Sequence, residues 1–253
     1  MNDRKKIAII MSGIFRTDLK ETIQNIYDLR SNFKDYDVRT YFVTWTIDDE
    51  IANEIKKHVD FFYMCDEPDF EWCEKNVPLL RAEVGKKEQN RRAAGSSISA
   101  YYMFKCRKIA LNFVTWNMFD FSDKKFIPEF SLLIRNDAYL RITDLEDWFN
   151  NYFNTTTYMH QRKTSNQTFP MQQDQASDQF LFAKHKLIEK AFNLDDEYMM
   201  DLIKSSHNIE AGVKTAIDET RSIIKRRKFD FNDFYLLEPI RGLKGTSHVW
   251  RTK

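Results

Sequence analysis

An α/β fold with a mostly parallel central sheet and helices on both faces is what the sequence predicts, and three observations predict it. The apolar run Ile7-Ala8-Ile9-Ile10-Met11 reads as a buried strand and stops at Ser12-Gly13. From Thr17 onward Leu19, Ile23, Ile26, Tyr27, Leu29 and Phe33 recur at steps of three and four, the spacing of one amphipathic helix face. The alternation then repeats, with a second strand over Asp37 to Trp45, a short helix over Ile51 to Lys57 and a third strand over Val59 to Met64. Strand, helix, strand, helix, strand in that order argues for parallel pairing with crossover helices.

The 253 residues suffice for a sizeable core, and with no linker in view they are read as one domain over 1–253. The 39 Lys and Arg nearly balance the 38 Asp and Glu, so no global field marks a nucleic-acid or membrane binder. Any such role must come from a local patch. Three cysteines without a Cys-x-x-Cys spacing fit reduced thiols better than a disulfide framework or a zinc site. The five apolar residues after Lys6 are too few for a signal peptide or a membrane span, so a soluble, cytoplasmic protein is expected.

Further along, Cys65-Asp66-Glu67-Pro68-Asp69 reads as a turn and Glu71 to Arg92 as a mobile polar loop. A helix is expected over Ser96 to Asn112, with polar insertions that turn one side to a cleft. Phe130 to Arg135 reads as a buried central strand that runs into polar Asn136-Asp137. Thr143-Asp144 would cap a helix through Phe153, and Thr155 to His160 would form a strand before a flexible stretch over Gln161 to Gln175. A helix is then expected to begin around Asp174 to Asp178 and to carry Phe180, Leu181, Phe182, Leu187, Ile188 and Phe192. Helices over Asp195 to Leu202 and Ile209 to Ile224 and a half-buried strand over Phe229 to Leu237 complete the reading.

Dinucleotide, P-loop, nucleophile-elbow and zinc-peptidase signatures are all absent. What remains lies at strand ends. In open α/β sheets ligands bind beyond the carboxyl ends of the strands, and a helix N-terminus there offers N–H groups to an anion. Ser12, Gly13 and Arg16 stand at such a place, with Gly13 allowing close backbone approach and Arg16 a fork of donors. An ordinary turn with a solvated arginine is the plain alternative. The basic clusters Lys86, Lys87, Arg91, Arg92 and Lys225 to Lys228 would suit a polyanion, or else form a solvated loop and a helix end. His207 and His248 are single histidines, each open to a late metal or phosphate contact and equally to a structural role.

Taken in order, Ser12-Gly13-x-x-Arg16, Thr44-Trp45, the Ser99, Tyr102, Lys105 helix, Arg135-Asn136-Asp137 and Ser177-Asp178-Gln179-Phe180 resemble the small GT-A-type glycosyltransferases of large DNA viruses, bacteriophages and bacterial polysaccharide clusters. The resemblance spans roughly Lys6 to Tyr235 and implies a nucleotide-binding half over about 1–142 and an acceptor-side half over about 143–253. It implies transfer of a sugar from a nucleotide-sugar donor, by default a UDP-sugar, to a hydroxyl acceptor. Ser12, Gly13, Arg16, Ser99, Tyr102, Lys105 and Arg135 would hold the donor, and Asp137 a divalent metal, Mn²⁺ or Mg²⁺. The family pattern has two acidic residues where this chain has Asn136, which puts the strength of metal binding in question. Asp178 would act as base toward the acceptor hydroxyl, with a helix N-cap as its alternative and Asp174 in reserve. The acceptor would be a glycan or a hydroxymethylated DNA base held by Lys86, Lys87, Arg91 and Arg92. A non-catalytic nucleic-acid-binding α/β protein is the competing expectation.

Overall fold

The computed structural model describes residues 5–84, 95–118, 126–142, 157–159, 163–164, 167–168, 180–226 and 247–250. Strand β1 (Lys6–Gly13) leads into helix α1 (Leu19–Asn32), β2 (Asp37–Trp45), α2 (Asp49–Lys56), β3 (Phe61–Cys65), α3 (Phe70–Asn76) and α4 (Gly95–Asn117). Then come β4 (Phe130–Arg135), β5 (Tyr139–Ile142), β6 (Thr157–Met159), β7 (Lys163–Thr164), β8 (Gln167–Thr168) and β9 (Phe180–Lys184). Helices α5 (His185–Phe192), α6 (Asp196–Ser205) and α7 (Ile209–Arg226) follow, and β10 (Ser247–Trp250) is the last strand described.

The main sheet has the order β3-β2-β1-β4-β9-β6. Strands β3, β2, β1 and β4 are mutually parallel, and β9 is antiparallel to both β4 and β6. The expected mostly parallel α/β sheet is therefore present. Residues Ile7 to Met11 are wholly buried because both faces of β1 are covered. Ile7, Ile9 and Met11 pack with Ile26 and Leu29 of α1, with Phe33 just after it and with Ile55 of α2. Ala8 and Ile10 face the other way, into a cluster with Phe104 and Leu111 of α4, Phe192 of α5, Ile203 of α6 and Val213 of α7. Period-two alternation of side chains thus divides one apolar run between two cores.

Three expectations change. The expected loop after Glu71 holds helix α3 instead, capped by Asp69, whose side chain accepts from Trp72 N at 2.7 Å, and a single 3₁₀ turn at Arg81–Glu83. The segment Phe180 to Lys184, expected to be helical, is strand β9, and the helix starts only at His185. Its strand form follows from a vacancy beside β4: Phe182 pairs with Leu132 and stacks on Phe130 at 5.7 Å, burying its ring between sheet and α1. Between Gln161 and Gln175, Lys163–Thr164 and Gln167–Thr168 pair as antiparallel β7 and β8. The helix expected over 143–153 and the strand over 229–237 lie outside the described residues.

Candidate functional site at the carboxyl edge of the sheet

The chain runs outward from β1 through β2 to β3, then crosses back to place β4 on the other side of β1. The helix that leaves β1 covers one face, and α4, which precedes β4, covers the opposite face. This divergence opens the crevice where α/β sheets bind ligands. Parallel register brings the carboxyl ends level: Ser12 lies opposite Arg135, Gly13 opposite Thr44, and Trp45 opposite Cys65. Three of the stretches singled out in the sequence therefore meet at one edge.

Asn136 ties them together. Its Nδ2 donates to Gly13 O at 2.8 Å and to Val43 O at 3.0 Å, and its backbone N–H donates to Ser12 O at 3.3 Å. It is buried, and its Oδ1 has no hydrogen-bond partner among the described residues. Gly13 has φ +130, a conformation that disfavours any side chain, and a Cβ added there would meet no atom of the described residues within 4 Å. The chain beside Gly13 is therefore open, and glycine is required for its backbone rather than for lack of room.

Arg135 and Asp137 form a two-pronged ion pair, Nε to Oδ1 at 2.8 Å and Nη2 to Oδ2 at 2.6 Å. Each Asp137 oxygen keeps a lone pair after these bonds, so the carboxylate can still meet a cation. Arg16 is exposed on the turn after β1.

Helix α4 runs against the strand direction: its Tyr102 packs on Trp45 at the end of β2, whereas Phe113 packs on Tyr41 and Phe61 farther back. Its N-terminal half thus overlooks the carboxyl edge, with Ser99 exposed on it. Tyr102 donates its hydroxyl to Pro68 O at 2.8 Å, and burial, then nearby Cys73, pushes its pKa up to about 12. Lys105 is bound to Asp196 of α6 at 2.8 Å, and that hydrogen bond holds the Asp196 carboxyl below its usual range.

The anion place expected at the helix start after β1 is already filled. Asp18 Oδ1 accepts from Lys20 N at 2.8 Å and Glu21 N at 3.3 Å. Asp48 and Asp69 do the same for α2 and α3. At the start of α4 the buried Glu83 carboxylate accepts from Ser96 N, Ser97 N and the Ser97 hydroxyl, which in turn accepts from Leu80 N at 2.9 Å. All four helices carry their own carboxylate at the positive end, so a bound phosphate must find its counter-charge in side chains or a metal.

The three cysteines are unpaired, and burial raises the pKa of each, that of Cys65 to about 12, so they are neutral thiols at pH 7. Among the described residues no cluster of three or more His, Cys, Asp or Glu has the form of a self-contained metal site. None of their helices is long and apolar enough to cross a membrane.

Asp178, Lys86, Lys87, Arg91 and Arg92 lie outside the described residues. The described strand that follows Asp178 enters the sheet from the carboxyl edge, since Phe180 pairs with Ile134, so Ser177-Asp178-Gln179-Phe180 leads into a strand and not a helix. The small sheet of β5 and β10 places Trp250 opposite Tyr139 and His248 opposite Arg141, beside the segment that follows Asp137. The sequence reading had missed Asn25, Glu83 and the clasping role of Asn136. A buried asparagine on a helix face otherwise apolar was the available signal for Asn25.

No family model matches the chain, and no curated protein matches it. Among solved structures, the chain is similar to core-mannan synthase A of Aspergillus fumigatus in its Mn/GDP form, at 12% identity over 84% of this chain and 69% of that one, with a TM-score of 0.44. It is also similar to the apo-form glycosyltransferase GlyE of Streptococcus pneumoniae, at 13% identity and a TM-score of 0.37 over 94% of this chain. The chain spans only 46% of GlyE. A transferase carrying two Cys-to-Ser substitutions is similar over 93% of its own length, at 10% identity and a TM-score of 0.37. Likeness this distant carries no argument about activity.

Proposed function

We propose that the protein is a glycosyltransferase that moves a sugar from a nucleotide-sugar donor, by default a UDP-sugar, to a hydroxyl on a glycan or a hydroxymethylated DNA base. One observation carries the reading: Asn136 gathers the ends of β1, β2 and β4 at the point where the strand order reverses, beside an open Gly13. The motifs whose order resembles GT-A-type glycosyltransferases supply the residues met there. Ser12, Gly13, Arg16 and Arg135 hold the nucleotide, with Ser99, Tyr102 and Lys105 on the α4 side, and Asp137 faces the diphosphate. Asp178 takes the acceptor hydroxyl's proton, and Lys86, Lys87, Arg91 and Arg92 serve the acceptor.

A divalent metal fits this set only in company. Magnesium and manganese sites often use one or two carboxylates and complete their shell with substrate phosphates and water. Asp137 supplies one carboxylate, and the helix starts at this edge already hold carboxylates of their own. The metal would therefore be held between Asp137 and the donor diphosphate, where it offsets the charge of the departing nucleotide.

The test is a thermal-shift panel of nucleotide sugars with and without Mn²⁺, followed by donor hydrolysis without acceptor. Stabilisation by a donor and Mn²⁺ together, greater than by either alone, and slow metal-stimulated hydrolysis are expected. Stabilisation by DNA and by no nucleotide overturns the proposal in favour of a nucleic-acid-binding protein.

A further inference from the structure

Asp137 is flanked by two buried amides that act on backbone carbonyls. On one side Asn136 Nδ2 holds Gly13 O at 2.8 Å and Val43 O at 3.0 Å. On the other, Asn25 Nδ2, from α1, donates to Ala138 O at 3.0 Å. Within the turn itself Ala138 N–H donates to Arg135 O at 3.1 Å. Asn136 and Asn25 are 1% and 2% exposed, so neither meets solvent. An ionised carboxylate has no hydrogen to donate, so neither bond could be made by aspartate at neutral pH.

Resting on the nucleotide-site reading above, we propose that Asn136 and Asn25 are positioning residues. They hold the Asp137 peptide from both sides and lock it to the Ser12-Gly13 turn, so that carboxylate and turn meet one diphosphate in fixed geometry. The departure from two acidic residues at 136 then has a positive cause. That position serves as a clasp between strand ends, which needs an amide, and not as a second ligand. The role differs from plain stability, because removing either amide frees the turn that carries Asp137 while the two cores on either side of the sheet stay packed.

The experiment titrates wild type, Asn136→Asp and Asn25→Leu with UDP and with GDP, each in the presence of Mn²⁺ at pH 8, alongside urea unfolding of each protein. The groups beside position 136 that bear on its charge are Arg135 and Asp137 in its own turn and the Cys106 thiol of α4, whose Sγ lies 4.0 Å from Val43 O. At pH 8 the introduced carboxylate faces two carbonyl oxygens, and affinity of the folded Asn136→Asp protein is expected to fall about tenfold or more. Asn25→Leu keeps the heavy-atom count and branching of the side chain but removes the donor, and the folded protein is expected to bind nucleotide several-fold more weakly. If Asn136→Asp does not fold at pH 8, Asn25→Leu decides. Variants that are less stable yet bind nucleotide as wild type does when folded overturn the positioning role and leave the nucleotide reading intact. A wild type that binds neither nucleotide overturns the nucleotide reading itself, and this role with it.

Discussion

The two ends of β4 both bury polar groups, yet they do so to opposite effect. At its start Ser131 Oγ and His185 Nδ1 lie 2.7 Å apart, His185 N–H donates to Glu129 O at 2.9 Å, and Glu129 N–H donates to Lys6 O at 2.9 Å. Nearby the Arg39 guanidinium lies over the Phe126 ring at 4.5 Å. Polar atoms there are sealed by aromatic and apolar packing, and burial lowers the His185 pKa to about 4, leaving a neutral ring. At its far end Asn136 is as deeply buried, but it pulls three strand ends together beside an open glycine and a carboxylate. Buried polarity alone therefore does not mark a site. Its position relative to the reversal in strand order does.

The sharpest way to break this contrast is at Asp137. Asp137→Ala is expected to lower metal-stimulated donor hydrolysis by about two orders of magnitude or more, read in single-turnover assays, because on the proposed reading Asp137 is the carboxylate that meets the diphosphate. Hydrolysis at the wild-type rate would move the site away from this end of β4.

The packed end answers to pH instead. Between pH 6.5 and about 4 the unfolded chain binds a proton at His185 that the folded chain refuses. Stability from this group is therefore whole above pH 6.5 and declines as pH falls, by about 3 kcal/mol at pH 4. Urea unfolding of wild type and His185→Gln across that range measures it, and the variant should lack this part of the slope. An equal slope in both proteins would place the acid sensitivity elsewhere.

Helix starts at the carboxyl edge give a smaller effect. Glu83→Gln keeps an acceptor but removes the charge at the head of α4, and should lower the urea midpoint by the equivalent of about 1–2 kcal/mol at unchanged m-value. Smallest of all is Lys105→Ala. Its pair with Asp196 is half open to water, with side-chain exposures of 27% and 56%, so its loss should change stability by less than about 1 kcal/mol in the same titration.

Much of the first half of the fold was legible because its signals are local. Ile7 to Met11 and Leu19 to Phe33 carry their periods within a few residues, and Phe130 to Arg135 begins and ends where the sequence predicts. Helix α3 was not legible, since Phe70 and Trp72 point outward at 57% and 45% exposure and Cys73 alone is buried, leaving no apolar stripe to read. Strand β9 was misread because Phe180-Leu181-Phe182 adjoins a true helical pattern, and a short apolar run does not tell strand from helix by periodicity. At the site, the sequence marked Ser12, Gly13, Arg135 and Asp137 as strand-end residues, and the register places them on one edge. It also pointed to the helix N-terminus after β1 as an anion place, and the structure has Asp18 capping that N-terminus.

By itself, then, the sequence determined the alternation of strands and helices through β3, then α4 and β4, and the polar residues that close these strands, since both depend on neighbours in the chain. Tertiary structure alone decided what Asn136 is for. Its two amide bonds reach carbonyls 123 and 93 residues away, and Asn25 reaches Ala138 across 113. A hydrogen bond's direction and partner exist only once the strands are in register. Whether residue 136 must donate or accept is therefore settled by the packed sheet and not by the stretch around it.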